Sequence, residues 1–208
     1  MFSTTPAARR TRLTSLVAAA AAAAVVALSG LAVAPAPAQA HHYDHLLPAP
    51  GVCPNDTNTA AARDTQVAAA TCLINQVRAR RGVAQLAPVG SWYGAGTLFY
   101  AAYFKAGDIL SCQRPEPSWT WAHTACGRPQ DYRVNRYSQP CGGIAENFYH
   151  GGGYLGSARE ALRWWLHSDA GHRDALLSPQ RLSHGINMRA GTLQGAWQQV
   201  WVHYLRPC

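Results

Sequence analysis

Glu146 stands in the stretch GGIAENFYHGG, residues 143–153, among glycines, apolar residues and aromatics. The 208-residue chain has only three glutamates, Glu116, Glu146 and Glu160. Glu160 follows Ser157 by three residues at the start of SAREALRWWLHS, the spacing of a capping box, and so has a structural role. Glu146 has no such local explanation. A carboxylate beside Asn147 and four residues before His150 suits two kinds of work. It can sit in a buried polar network, since away from water it needs partners merely to be tolerated. It can also hold an imidazole in one tautomer and make the ring's other nitrogen a better base or ligand. On a strand His150 has the parity of Glu146 and can share its face.

Other chemistries find little support. Ser111, Ser118, Ser138 and Ser183 lie in plain contexts, and no G-x-S-x-G is present. The six cysteines, at 53, 72, 112, 126, 141 and 208, include no C-x-x-C pair, which argues against a zinc ribbon or a thioredoxin motif. Their even number, all downstream of an export signal, points to three disulfides and no free thiol. Six cysteines allow 15 pairings and the sequence does not choose among them. Cys208, the last residue, would be idle unless it pins the terminus.

The export signal occupies residues 1–40. A basic stretch, ARRTR, precedes a Leu/Ala/Val run, and Ala38-Gln39-Ala40 is an A-x-A cleavage pattern. The apolar run exceeds the usual length, so an uncleaved anchor stays open beside cleavage before His41. Residues 41–208 carry 15 basic and 10 acidic side chains, a balance of +5 with neutral histidine, and Lys105 is the sole lysine. The charges are scattered; the densest cluster, RARR at 78–81, reads as a solvated helix face rather than a nucleic-acid patch. Gly82 to Phe104 is uncharged but interrupted by Pro88, glycines and tyrosines, which favours a buried helix over a membrane span.

The elements that must position Glu146 follow from periodicity. Residues 41–65 read as an extended leader tied at Cys53. A helix is expected over 66–82, with Leu73, Ile74 and Val77 as its apolar stripe and Gly82 at C′, and a second over 90–107, closed by Gly107. Residues 108–142, rich in Pro, Cys and Gly, read as a long loop, which at this length is usually functional or cross-linked. GIAENFYHG is expected as a strand, 157–168 as a helix capped by Ser157, 171–177 as a short helix. HGINMRA and AWQQVWVHYL read as an antiparallel hairpin turning near Gly191–Gly195. Helices on both sides of the strand sequence imply an α/β (α+β) domain in three α-β-α layers around a small, mainly antiparallel sheet.

Taken together these segments resemble the CAP superfamily of cysteine-rich secretory, antigen 5 and pathogenesis-related type 1 proteins, in its bacterial, SCP-like extracellular form. LINQVRARRGVAQL is similar to the family's first helix and its exit, WAHTAC to its FSH element, IAENFYHG to ENIAxG, WLHSDAGHRDALLSP to WxxSxGHRxNIL, and AWQQVWVHY to YWxQVF. The likeness spans residues 66–206 in one order, so residues 66–208 are expected to be the CAP domain. The family implies an open cleft lined, in eukaryotic members, by two histidines and two glutamates, with the histidines able to hold zinc. Carried onto this chain, that gives His123 and Glu146. Ala196 stands where the second histidine falls, and the second glutamate falls near Ser168-Asp169. His172 of the GHR motif is the expected third cleft residue.

With His123 and Glu146 paired and His172 nearby, the site could offer two imidazoles to Zn²⁺ with an open position; no cofactor is required by this reading. The resemblance implies a secreted, monomeric binder of a lipid, sterol, envelope component or metal. It gives no role in nucleic-acid binding, no membrane span after signal removal and no established catalysis. The alternative is an extracellular hydrolase of cell-wall glycan or peptide using Glu146 and His123, with Glu146 and Asp169 as the carboxylate pair a glycosidase needs. An N-terminal His41-His42 could chelate Cu(II) adventitiously, but the fold is unlike that of copper monooxygenases. The tryptophans 119, 121, 164, 165, 197 and 201 are dense for one domain; most are expected in the core and some at the cleft rim.

Overall fold

A computed structural model describes residues 42–88, 97–114, 119–139 and 141–208. The signal segment 1–40, His41 and the expected start of the second helix near Trp92 lie outside the described residues.

The elements run α1 (Arg63–Arg80), β1 (Ala87–Pro88), α2 (Leu98–Ser111), a 3-10 segment (Trp119–Gly127), α3 (Tyr132–Tyr137), β2 (Ala145–Gly151), α4 (Ala158–His167), α5 (His172–Leu177), β3 (Ser183–Leu193) and β4 (Ala196–Arg206). The sheet order is β1-β3-β4-β2. β3 and β4 form the expected hairpin, and β4 pairs antiparallel with β2. β1 adds a short parallel pairing to Ser183 and His184. The hairpin turns at Gln194-Gly195, both at positive φ (49° and 83°), the conformation a tight two-residue connection demands.

Period-two alternation sorts the sheet residues into two cores. Ile186, Met188, Trp201 and Leu205 pack with α1 and α4. Phe148, Val200, Val202 and Tyr204 pack with α2, the 3-10 segment and Val134 of α3. This is the three-layer α-β-α arrangement, and among the described residues β2 is one edge of its sheet.

Several local expectations need correction. α2 does not stop at Gly107 but runs to Ser111. Gly107 serves packing rather than termination: a Cβ there would collide with the Arg189 guanidinium. Residues 42–62 are not extended; a 3-10 turn at Asp44–Leu46 and successive turns bring Leu46, Leu47 and Cys53 into the core. Arg159 of α4 fastens this segment, donating from Nε (2.9 Å) and Nη2 (2.7 Å) to Asp56 Oδ2 and from Nη2 to Pro48 O (2.8 Å). The stretch 108–142 also contains two helical pieces, the 3-10 segment and α3. Finally, RARR is not wholly a solvated face. Arg78 is fully buried and donates to the carbonyls of Ala84, Leu176, Ser178 and Arg181 at 2.7–3.1 Å. A guanidinium with five donors can serve four carbonyls at once, which no apolar residue could do.

Six cysteines form three disulfides, Cys53–Cys72, Cys112–Cys126 and Cys141–Cys208, with no free thiol. Cys208 pins the C-terminus beside the entry to β2. No described helix is long and apolar enough to cross a membrane.

Candidate functional site

The site is assembled from α2 outward. Lys105, Asp108 and Cys112 recur at spacings of three and four and so share one helix face. Each fastens the segment that carries His123. Lys105 Nζ donates to His123 O at 2.5 Å. Asp108 accepts from Arg128 Nη1 (2.6 Å) and from Arg133 Nε (2.7 Å) and Nη2 (2.6 Å). Cys112 is bonded to Cys126. The irregular backbone of Thr124–Cys126, with Cys126 at φ 60°, is thereby held from several directions.

His123 faces β2. Its Nδ1 is 2.6 Å from Glu146 Oε1, and its side chain is 31% exposed whereas that of Glu146 is not exposed at all. The second carboxylate oxygen, Oε2, makes no hydrogen bond. Its nearest cation is Lys105 Nζ at 3.8 Å, itself almost fully buried. Burial pulls the Lys105 ammonium below its ordinary range, and the charges of Glu146 and Asp108 oppose that pull. Burial, reinforced by the adjacent Glu146 charge, drives the phenol of Tyr204, the cross-strand neighbour of Glu146, far up. Glu146 therefore works from beneath: it orients His123 and fixes which nitrogen, Nε2, is left outward.

Asn147 points to the other layer and donates from Nδ2 to His172 O at 3.2 Å, tying down the start of α5. His172 Nδ1 is 2.7 Å from Ser168 Oγ, again leaving Nε2. Burial, and to a lesser degree the neighbouring His123, lower the His172 pKa. The three expected residues thus occupy one region: His123 and His172 at the surface of the cleft, Glu146 behind His123.

The cleft runs over the β2 edge and has a volume of about 400 Å³. The 3-10 segment supplies Trp119, Thr120 and His123; β2 supplies Phe148, Tyr149 and His150; Trp164, Ala170 and His172 close the far side. An adjoining hollow of about 360 Å³, lined by Gln130, Glu146, Asn147 and Gly171 among others, shares His123, Ala170 and His172, so these two imidazoles stand at the junction. Trp119 packs on His150 with ring centroids 3.9 Å apart, and Trp164 meets His172 edge-on at 4.9 Å. Burial pushes the Tyr149 phenol up to about 12 and lowers His150, whose Nδ1 is bonded to Gln198.

Sequence reading gave His150 no role, yet it lines the cleft; strand parity with Glu146 was the available signal. Lys105 was noted as the sole lysine, but nothing in its local context placed it under Glu146. Asp169 is not a cleft carboxylate: its side chain is 90% exposed and paired with Arg173 at 3.0 Å. Among the described residues no group of three or more His, Cys, Asp or Glu is arranged to hold a metal. Two outward imidazoles alone do not make the closed or three-ligand zinc centres that proteins use.

No family model and no curated protein matches the sequence. Solved structures do. An extracellular protein containing an SCP domain from Bacillus anthracis superposes at a TM-score of 0.51 with 19% identity, covering 69% of this chain and 41% of that one. The chain therefore spans about two fifths of that protein's length. An outer surface protein from Borrelia burgdorferi gives 0.45 with 16% identity over 65% of this chain and 86% of that one. A cysteine-rich secretory protein from Staphylococcus aureus gives 0.43 with 15% identity over 71% and 40%. The first of these likenesses, with the α-β-α layering and strand order described above, shows the fold: this chain folds like the SCP domain of the Bacillus anthracis protein.

Proposed function

We propose that the chain is an exported SCP-like protein whose β2-edge cleft binds a small ligand, reversibly and without covalent chemistry. The ligand has a flat apolar part and at least one hydrogen-bonding group, as a lipid, a sterol or an envelope component has. The observation that carries this reading is the lining of the cleft: aromatic rings around three imidazoles, His123, His150 and His172, whose Nδ1 atoms are already engaged. Pockets of this size, mostly apolar with a few fixed polar groups, are the usual form of a small-molecule site. Export is supported by the A-x-A signal, by three disulfides, which persist in oxidising compartments, and by the extracellular description of the Bacillus anthracis protein.

The hydrolase reading loses ground on the same geometry. Among the described residues no Asp or Glu lines the 400 Å³ cleft, and Glu146 borders only the adjoining hollow. The Glu146 side chain is buried and already bonded to His123, and a glycosidase needs two carboxylates flanking the bond it cuts. Native mass spectrometry of protein purified from its own host's medium tests the proposal. A discrete added mass is expected on the parent and should be lost in Trp119→Ala and His172→Ala variants that keep the parent's circular dichroism. Bare protein in both cases, together with cell-wall turnover that His123→Ala abolishes, would replace binding with hydrolysis.

A further inference from the structure

A second hollow, of about 440 Å³, lies at the opposite margin of the sheet. Among the described residues β1 pairs with β3 at Ser183 and His184, and β3 is otherwise paired only with β4. Side chains from both helical layers meet across it. Arg63 of α1 sits over the Tyr103 ring of α2 at 4.8 Å, and Arg189 of β3 sits over the same ring at 4.8 Å. Arg63 is paired with Asp64 at 3.0 Å. Arg189, lying against Gly107, has an aromatic contact but no carboxylate partner among the described residues. Trp197, at the start of β4, lines the hollow and is 68% exposed.

The wall beside them holds two amides with unmet capacity. Gln66 donates from Nε2 to Thr59 O (3.1 Å) and Ala61 O (2.7 Å), and Gln199 donates from Nε2 to the same Thr59 O at 2.8 Å. Carbonyl acceptors fix both amide orientations. Among the described residues each Oε1 is then left without a donor, on residues more than nine-tenths buried. Unsatisfied buried acceptors are costly and call for an explanation.

We propose that this hollow binds an acidic saccharide. Arg189 meets the carboxylate, Trp197 offers its face to the C–H side of a sugar ring, and the amide oxygens of Gln66 and Gln199 accept from ring hydroxyls. A guanidinium matches a carboxylate bidentately, an exposed indole provides a stacking surface, and sugar hydroxyls supply the donors the glutamines lack. Arg63 adds positive potential and holds Tyr103 in place. A neutral glycan would leave Arg189 unused.

Isothermal titration at low salt with tetragalacturonate, a hyaluronan hexasaccharide and maltohexaose tests this. At least one acidic probe should bind saturably and maltohexaose should not. Arg189→Gln should weaken binding roughly tenfold or more, the scale of a charge-assisted hydrogen bond, and Trp197→Ala should weaken it several-fold. Trp197 is exposed and Arg189 half-buried, so their thermal midpoints should stay within a few degrees of the parent's. Failure of both acidic probes to bind, equal binding of maltohexaose, or unchanged affinity in both variants would overturn the proposal.

Discussion

The two margins of the sheet solve the same problem differently. An edge strand leaves backbone groups and a groove open between the helical layers. At the β2 margin the groove is floored by a buried ion pair, Lys105 with Glu146, and closed by a cross-linked segment. At the β3 margin the two arginines are half-buried and stacked on Tyr103, the Gln66 and Gln199 amides are buried beside them, and among the described residues no buried charge pair lies under them. One site is therefore part of the fold's stability and the other is added to it. Changes at the first should cost folding free energy, and changes at the second should cost only binding.

The largest difference is expected from Lys105→Met. Removing the cation leaves the Glu146 charge buried beside His123 and Tyr204 with no lysine to balance it, and breaking a buried pair in this way typically costs about 3–5 kcal/mol. Urea unfolding should register that loss. Adding Glu146→Gln to the variant should recover part of it, because the uncompensated charge then disappears. A Lys105→Met protein as stable as its parent would remove the contrast between the margins. Next comes loss of the Cys112–Cys126 bond by paired serine substitution, whose loop of 14 residues is worth about 3 kcal/mol. Ligand binding in the β2 cleft should fall with it, while acidic saccharide binding at the β3 margin should survive in the folded fraction.

The centre of the sheet ties both margins to pH. His184 Nδ1 and His203 Nε2 are 3.2 Å apart and buried, and the outer nitrogen of each ring has no partner. Burial, with Arg78 adding repulsion, lowers His184 to about 4. Burial, then His184 and Arg78, lowers His203 well below its ordinary value. The native state therefore binds fewer protons than the unfolded chain between pH 6.5 and 4. Stability is complete above the unfolded histidine value of about 6.5 and is lost as pH falls toward 4, by roughly 3 kcal/mol for His184 alone. Urea midpoints at pH 7.5 and 4.5 should show the drop, and a His184→Leu/His203→Leu variant should flatten it. Both sites should weaken together as the fold is lost, unlike the effect of the disulfide.

Local signals carried much of this into view beforehand. The Ser157 cap with Glu160, the Gly82 terminus and the alternation in the last two strands are short-range features, readable residue by residue. What escaped depended on distant chain. Arg78 looks like any helix-end arginine until the carbonyls of Leu176 to Arg181 arrive around it. Gly107 looks like a terminator until Arg189 crosses it. His123 and Glu146 were marked by resemblance, but that Glu146 lies beneath the cleft floor rather than in its wall is a property of Lys105 and Tyr204, brought there by α2 and β4. The β3 margin left no signal at all, because its arginines are ordinary in sequence and special only in sharing one tyrosine ring.

The smallest expected effect is the one that separates the margins most cleanly. Arg189→Gln removes a guanidinium that stacks on Tyr103 but has no buried carboxylate to leave behind. An exposed cation–π contact is worth about 0.5–1 kcal/mol, and part of the Arg189 stem's packing on Gly107 survives in the shorter glutamine. Unfolding free energy should therefore change by no more than about 1 kcal/mol, several-fold less than for Lys105→Met. If Arg189→Gln proves as damaging as Lys105→Met, the guanidinium is a structural strut across the sheet edge, and the hollow beside it owes its charge to packing rather than to a ligand.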